Sequence, residues 1–277
     1  MDRTKNVEVF LDTKACYEKM PVLREAVKMA TKAQKVILES DELPTQDRER
    51  YAEPATVIVS KKRTMEAAAA YTGQRVAVLN FASASNPGGG VVNGASAQEE
   101  CLCRVSTLYP SLNSAGPWQL FYGPHRAVRN PIHNDDIIYT PGVMVFKADT
   151  DEPSLLSEAD WYPVDVITCA APNLNSNAGA RYNPGDAGTQ VSLNYAEQKA
   201  VHEKRLRRIL EVALSEDADV VILGAFGCGA FRNDPKAVAE ASFSVIGEYA
   251  HAFRTIEFAI YCPPGREENY KRFQEAH

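Results

Sequence analysis

Apolar residues follow two patterns along the chain: short unbroken runs, and longer stretches in which they recur every third or fourth position. The short runs are rich in β-branched residues and predict strands at 55–59, 75–81, 164–169, 219–223 and 255–261. Two further runs, 136–139 and 143–146, flank Thr140-Pro141-Gly142 and predict a pair of strands around a turn. Helical spacing predicts helices over 15–40, 64–71, 195–215 and 235–249. Pro21 suits the first turn of a helix, and Asp234 suits an N-cap. The polar stretch 40–53 reads as an exposed loop, and the Asn-, Gly- and Pro-rich stretch 173–189 as a long functional loop.

Strands alternating with helices predict an α/β fold with a mixed, mostly parallel sheet flanked by helices and right-handed crossovers. No repeat, charge block or linker divides the sequence. One domain over 1–277 is expected, with a helical N-terminal extension over about residues 1–54.

Composition narrows the class. Hydrophobic residues make up 45 % of the 277 and charged residues 24 %, too apolar for a disordered chain. The net charge of −6 argues against a general nucleic-acid binder and leaves room for a local basic patch. No apolar run reaches the roughly 20 residues of a membrane helix, and the opening residues carry no signal-peptide core. A cytoplasmic protein without membrane association is expected. Cys16, Cys101, Cys103, Cys169, Cys228 and Cys262 include no C-x-x-C pair, so free thiols are expected and no metal site. None of the five histidines stands in a nucleophile motif.

Two glycine-rich turns carry the candidate chemistry. The first leaves the 75–81 strand and runs from Asn80 through Asn86 and Pro87 to Gly88, Gly89 and Gly90. Three missing Cβ atoms allow a ligand close to the backbone, whose N–H groups can face a diphosphate or a sugar. The second follows the 219–223 strand: Gly224, Ala225, Phe226, Gly227, Cys228, Gly229, Ala230 and Phe231. Its G-x-x-G-x-G differs from the dinucleotide fingerprint, and it has no P-loop Lys. Both turns follow strands, so both can lie on one rim of the sheet. Phe226 and Phe231 suit either the core or contact with a ribose.

Shortly after Gly90 come Gln98, Glu99 and Glu100, followed by the helical stripe Leu102, Val105, Leu108 and Tyr109. The pair therefore opens a helix, where the macrodipole favours carboxylates. Cleaving a glycosidic bond needs a proton donor for the leaving oxygen and stabilisation of an oxocarbenium-like transition state. Adjacent glutamates point in different directions on a helix, so one can grip a ribose while the other reaches the scissile oxygen.

G-G-G followed by seven residues and then Q-E-E resembles the signature of poly(ADP-ribose) glycohydrolases. The flanking residues 80–84 and 86–90, Thr168 to Asn173 and Gly224 to Phe231 resemble the bacterial-type branch. The similarity extends over roughly residues 10–265. It implies a macrodomain fold and metal-free, cofactor-free hydrolysis of the ribose–ribose bond of poly(ADP-ribose), with ADP-ribosylated proteins as substrates. It also implies that Glu100 is the acid and that Glu99 holds hydroxyls of the ribose being cleaved. Gln98 would orient the loop or touch substrate. Gly88, Gly89 and Gly90 would cradle the diphosphate, with the 224–231 turn on its other side. Phe226 or Phe231 would lie against the ribose, and Asn80 or Asn86 would bind that ribose. The competing readings are a non-catalytic ADP-ribose reader and a hydrolase of single ADP-ribose marks on protein or nucleic acid. The intact Q-E-E argues against a reader, which needs no acid at a scissile bond.

Overall fold

The computed structural model describes residues 2–176, 186 and 190–277. Two helices open the chain, α1 (Arg3–Lys19) and α2 (Pro21–Ala33), followed by β1 (Lys35–Ile37). Then come β2 (Thr56–Ser60), α3 (Thr64–Ala68), β3 (Val76–Phe81), α4 (Gln98–Val105) and α5 (Leu108–Leu112). A short helix α6 (Ala115–Pro117), a π-helical turn (Trp118–Tyr122) and α7 (Gly123–Val128) lead to β4 (Ile137–Val145) and β5 (Tyr162–Cys169). The chain closes with α8 (Tyr195–Ser215), β6 (Val220–Leu223), α9 (Pro235–Ile246), β7 (Thr255–Ala259) and α10 (Glu268–Ala276).

The strands form one sheet in the order β1-β4-β5-β3-β6-β7-β2. β4 is antiparallel to both its neighbours; every other pairing is parallel. The central strands are buried on both faces, which is why they read as unbroken apolar runs. One face is covered by α8, α9 and α10, the other by α4, α5 and the π-helical turn. Among the described residues no helix is long and apolar enough to cross a membrane. All six cysteines are free, with Cys103 and Cys169 buried.

Two expectations are corrected. The helix over 15–40 breaks at Met20, whose extended backbone (φ −82°, ψ 119°) follows from steric restriction before Pro21. It then ends at Ala33, because Val36 and Ile37 pair with Ile138 and Ile137 at the sheet edge. The pair of strands at 136–146 is a single strand, β4. Its register shifts between Thr140 and Val143, so Pro141 and Gly142 (φ +65°) form a bulge, not a reversal.

β5, β3 and β6 run side by side in parallel, so their carboxyl ends share one rim. The helix after β3 packs on one face and the helices after β5 and β6 on the other, which opens a crevice between them. Arg205 of α8, 2 % exposed, secures that rim. It pairs with Asp135 at 2.8 Å and donates to the carbonyls of Ala170 (2.7 Å) and Ile132 (3.2 Å). Burial pushes the Asp135 carboxyl up, but Arg205 and Lys204 hold it below the usual range. The ion pair therefore stabilises the fold above the ordinary Asp range and is lost as pH falls through the lowered value. Arg205→Met leaves Asp135 facing only Lys204. It is expected to cost about 3–5 kcal/mol in urea denaturation at pH 7, with a smaller loss once pH has fallen through the lowered Asp135 value.

Candidate active site at the carboxyl ends of the parallel strands

The site begins where β3 loses a neighbour. Pairing with β5 continues to Phe81↔Cys169, whereas pairing with β6 stops at Val78↔Ile222. Leu79 O and Phe81 N are left on the open side. The Gln98 amide takes both, donating to Leu79 O (2.7 Å) and accepting from Phe81 N (2.9 Å). Its remaining N–H reaches Thr64 Oγ1 at 3.0 Å. Gln98 thus fixes the start of α4 against the end of β3, and its amide is fully engaged in doing so.

Glu99 and Glu100 follow in the first turn of α4, 3 % and 6 % exposed. Glu99 accepts at both oxygens: from Asn80 Nδ2 at 3.2 Å, from Ser83 N at 2.8 Å and from the Gly88 amide. Glu100 accepts from Gly90 N at 2.8 Å through Oε1. Its Oε2 is buried and has no hydrogen-bond partner among the described residues. Burial pushes Glu99 well above the usual carboxylate range, and the charge of Glu100 adds to this against its hydrogen-bond donors. Burial also raises Glu100, opposed by the Gly90 amide and Arg104. The two titrate as a coupled pair.

The glycines explain how two carboxyls fit there. Gly88 and Gly89 are left-handed (φ +67° and +58°). A Cβ on Gly89 would lie 2.5 Å from Glu100 Oε1 and 3.0 Å from Glu99 Oε2. The amides of the expected diphosphate cradle at 88–90 meet acceptors of the protein itself. Gly88 and Gly90 give their amides to the two carboxyls, and Gly89 gives its own to Asn86 O at 2.9 Å. The turn shapes the carboxyl pair. Asn80 has no free amide donor, and one of the two N–H groups of Asn86 is engaged. Asn80 divides its N–H groups between Glu99 and Thr168 Oγ1 (3.2 Å), and Asn86 Nδ2 donates to Gly89 O.

The 224–231 turn follows β6, the neighbour of β3 in the sheet, and has the open donors the glycine triplet lacks. The amides of Gly227, Gly229, Ala230 and Phe231 make no hydrogen bond among the described residues. A nest of such N–H groups suits a phosphate. Gly227 is left-handed (φ +79°) and packs so closely that a Cβ would lie 2.6 Å from Ala171 Cβ. Gly224 lies against Phe81 and Ala259 O, while Gly229 and Ala230 are exposed. Ala225 is buried and Cys228 half-buried; burial pushes the Cys228 thiol far up.

The two phenylalanines separate. Phe226 is 6 % exposed and packs between Phe81 (5.6 Å between centroids) and His202 (5.8 Å), a core role. Phe231 is half-buried on the outer side of the turn, 6.0 Å from His133.

Several positioning residues lie outside any motif. Buried Asn233 accepts from His202 Nε2 at 2.9 Å and donates to Pro172 O (2.7 Å) and Gly227 O (3.0 Å), joining the turns after β5 and β6. Burial lowers His202 to about 4, so it is neutral. His133 and Asn173 hold Asp186 at 2.8 and 2.7 Å. Most of the expected functional loop at 173–189 lies outside the described residues. No local pattern marks Asn233, His202 or Ser83, because their partners are distant in sequence.

A family model for the microbial-type poly(ADP-ribose) glycohydrolase catalytic domain matches residues 12–148. The crystal structure of poly(ADP-ribose) glycohydrolase from Thermomonospora curvata superposes with a TM-score of 0.81 at 30 % identity, covering 98 % of this chain and 99 % of that one. The chain belongs to the poly(ADP-ribose) glycohydrolase family. The T. curvata protein bound to the inhibitor ADP-HPD matches with a TM-score of 0.79, also at 30 % identity over 98 % and 99 % of the chains. The Deinococcus radiodurans glycohydrolase in complex with ADP-ribose matches with a TM-score of 0.72 at 30 % identity, covering 90 % of this chain and 96 % of that one. No curated protein sequence matches.

The two phenylalanines of the second turn can be told apart by stability alone. Phe226→Ala is expected to cost about 3–5 kcal/mol, and Phe231→Ala no more than about 1 kcal/mol, in chemical denaturation of the free protein.

Proposed function

We propose that this chain hydrolyses the ribose–ribose O-glycosidic bond of poly(ADP-ribose) and releases ADP-ribose. The observation that carries the reading is the free, buried Oε2 of Glu100 beside a second buried carboxyl, on the sheet rim where the turn after the neighbouring β6 has open amides. Burial raises Glu99 more than Glu100, but every donor around Glu99 points at a carboxylate oxygen and favours its ionised state, whereas Glu100 Oε2 has none. A coupled proton then resides on Glu100, whose Oε2 protonates the departing ribose oxygen. The oxocarbenium-like centre left behind faces the Glu99 carboxylate, whose remaining lone pair accepts a ribose hydroxyl. Glu100, now ionised, removes a proton from the attacking water and returns to its starting state.

The diphosphate rests on the amides of 227 and 229–231, and Phe231 covers the ribose. Gln98 and Asn86 hold the protein's own turn, and the buried, unpartnered Asn80 Oδ1 is left to accept a ribose hydroxyl. The reading extends to a macrodomain-type catalytic unit spanning 1–277, working in the cytoplasm on proteins that carry ADP-ribose polymer. Its ligand is an anion, held locally by backbone dipoles despite the acidic net charge.

Glu100→Gln keeps the size of the side chain and the acceptor for Gly90 N but cannot carry the proton. Turnover of purified polymer is expected to fall by at least ~10³-fold while calorimetry still shows ADP-ribose binding. Binding without turnover by the wild type would overturn the hydrolase reading. In the wild type, activity should fall as pH rises through the raised value of Glu100, above the ordinary Glu range. The same shift has a sign for stability: an acid raised by burial favours the fold below its unfolded pKa and loses that contribution as pH rises. The thermal midpoint of Glu100→Gln should therefore exceed that of the wild type at pH 7, with the difference shrinking toward pH 4.

A further inference from the structure

The first helix is bonded to the segment that holds Glu100. Gly94 closes the loop after the glycine triplet at φ +73°, and a Cβ there would lie 2.2 Å from the Arg3 carbonyl oxygen. Asn6, 1 % exposed, donates from Nδ2 to Gly94 O at 3.0 Å. Within that loop Gly94 N donates to Val91 O and Ala95 N to Gly90 O, both at 3.1 Å. Gly90 N is the group that donates to Glu100 Oε1. At the far end of α4, Arg104 Nη1 donates to Ala95 O at 2.6 Å, and Arg104 O accepts from Thr13 Oγ1 of α1.

A second path runs through rings. Phe10 of α1 meets Tyr109 edge to face, with centroids 5.0 Å apart and planes at 82°. The Tyr109 ring occupies the space a Gly88 Cβ would need, its Cδ2 only 2.7 Å from that position. Gly88 in turn gives its amide to Glu99. Both carboxyls are therefore reached from α1, one through Asn6 and the 90–95 loop, the other through Phe10, Tyr109 and Gly88.

We propose that α1 positions the catalytic carboxyl pair: Asn6 fixes the loop that aims Gly90 N–H at Glu100, and Phe10 holds Tyr109 as a wedge that sets the left-handed turn at Gly88. Asn6, Phe10 and Tyr109 are positioning residues and touch no substrate. The proposal rests on the hydrolase reading of Glu100 above. It explains the placement of a polar Asn6 at a fully buried position on an otherwise solvent-facing first turn. A buried amide is retained only where it is hydrogen-bonded, and its acceptor here is the loop of the acid.

The coupling has a pH signature. The Gly90 amide favours the ionised form of Glu100. The charged and titratable groups around Glu100 are Glu99, Cys101, Cys103 and Arg104 of its own helix, with Arg63 and Asp149 behind Cys101. The glycine turn packed against it contributes amides. Loosening the turn therefore removes a contribution that lowers Glu100 and leaves the others in place.

The test is Asn6→Ala in the full chain, with Phe10→Leu as a milder companion. Asn6→Ala is expected to lower kcat on poly(ADP-ribose) roughly tenfold while ADP-ribose affinity by calorimetry is unchanged. The alkaline limb of its pH–rate profile moves to higher pH, and the Gly90 amide exchanges faster with solvent by NMR. Phe10→Leu shifts the same readouts in the same direction by less. A lower melting temperature with unchanged kcat, limb and Gly90 exchange in the folded protein would overturn the proposal and leave α1 a packing element. If the wild type itself fails to turn over polymer, the hydrolase reading falls, and Gly90 exchange in Asn6→Ala still decides whether α1 and the turn are coupled.

Discussion

Two adjacent carboxyls buried in one helix turn are the constraint around which this end of the molecule is organised. Two such charges repel, and each loses hydration. The chain tolerates them by aiming amides at them: Ser83 and Gly88 at Glu99, Gly90 at Glu100, with the Asn80 side chain completing Glu99. The left-handed Gly88 and Gly89 leave room for the carboxyl oxygens, because a Cβ on Gly89 would collide with Glu100. The glycine triplet is thus first a solution to an electrostatic and steric problem within the protein.

The same geometry concentrates unsatisfied polarity. Among the described residues four buried side-chain atoms have no partner, and two of them, Glu100 Oε2 and Asn80 Oδ1, belong to this cluster. Leaving a buried polar atom unpaired costs about 1–3 kcal/mol, so such atoms are retained where a ligand or a reaction uses them. The sheet places the cluster on the same rim as the second turn: β5, β3 and β6 end side by side, and their helices leave on opposite faces. Arg205 and Asn233 then tie down the neighbouring turns from α8 and the turn before α9.

The periodic elements were legible in the sequence: α8, α9 with its Asp234 cap, and the buried central strands appear where the apolar pattern puts them. The Q-E-E at the start of α4 was legible too, because an acidic first turn before an apolar stripe is a local signal. What escaped depends on partners far along the chain. Val36 and Ile37 continue a helical pattern but are drawn into a strand by β4, and Pro141-Gly142 reads as a reversal but is a bulge held by pairing on both sides. The glycine amides look free for a ligand until the Glu99 and Glu100 carboxyls, ten or so residues later, are seen to occupy them. Phe226 and Phe231 are equivalent in the motif, and only the packing of Phe81 and His202 separates core from rim.

On the proposed mechanism the buried pair holds its proton well above the ordinary carboxylate range, with Glu100 as the member that exchanges it. The most direct measurement is a ¹³C NMR titration of side-chain carboxyls in the free protein, with Glu100→Gln and Glu99→Gln used for assignment. Two coupled transitions are expected, the upper one well above the ordinary Glu value of about 4.3 and abolished in Glu100→Gln. A Glu100 carboxyl that titrates in the ordinary range, independently of Glu99, would contradict it.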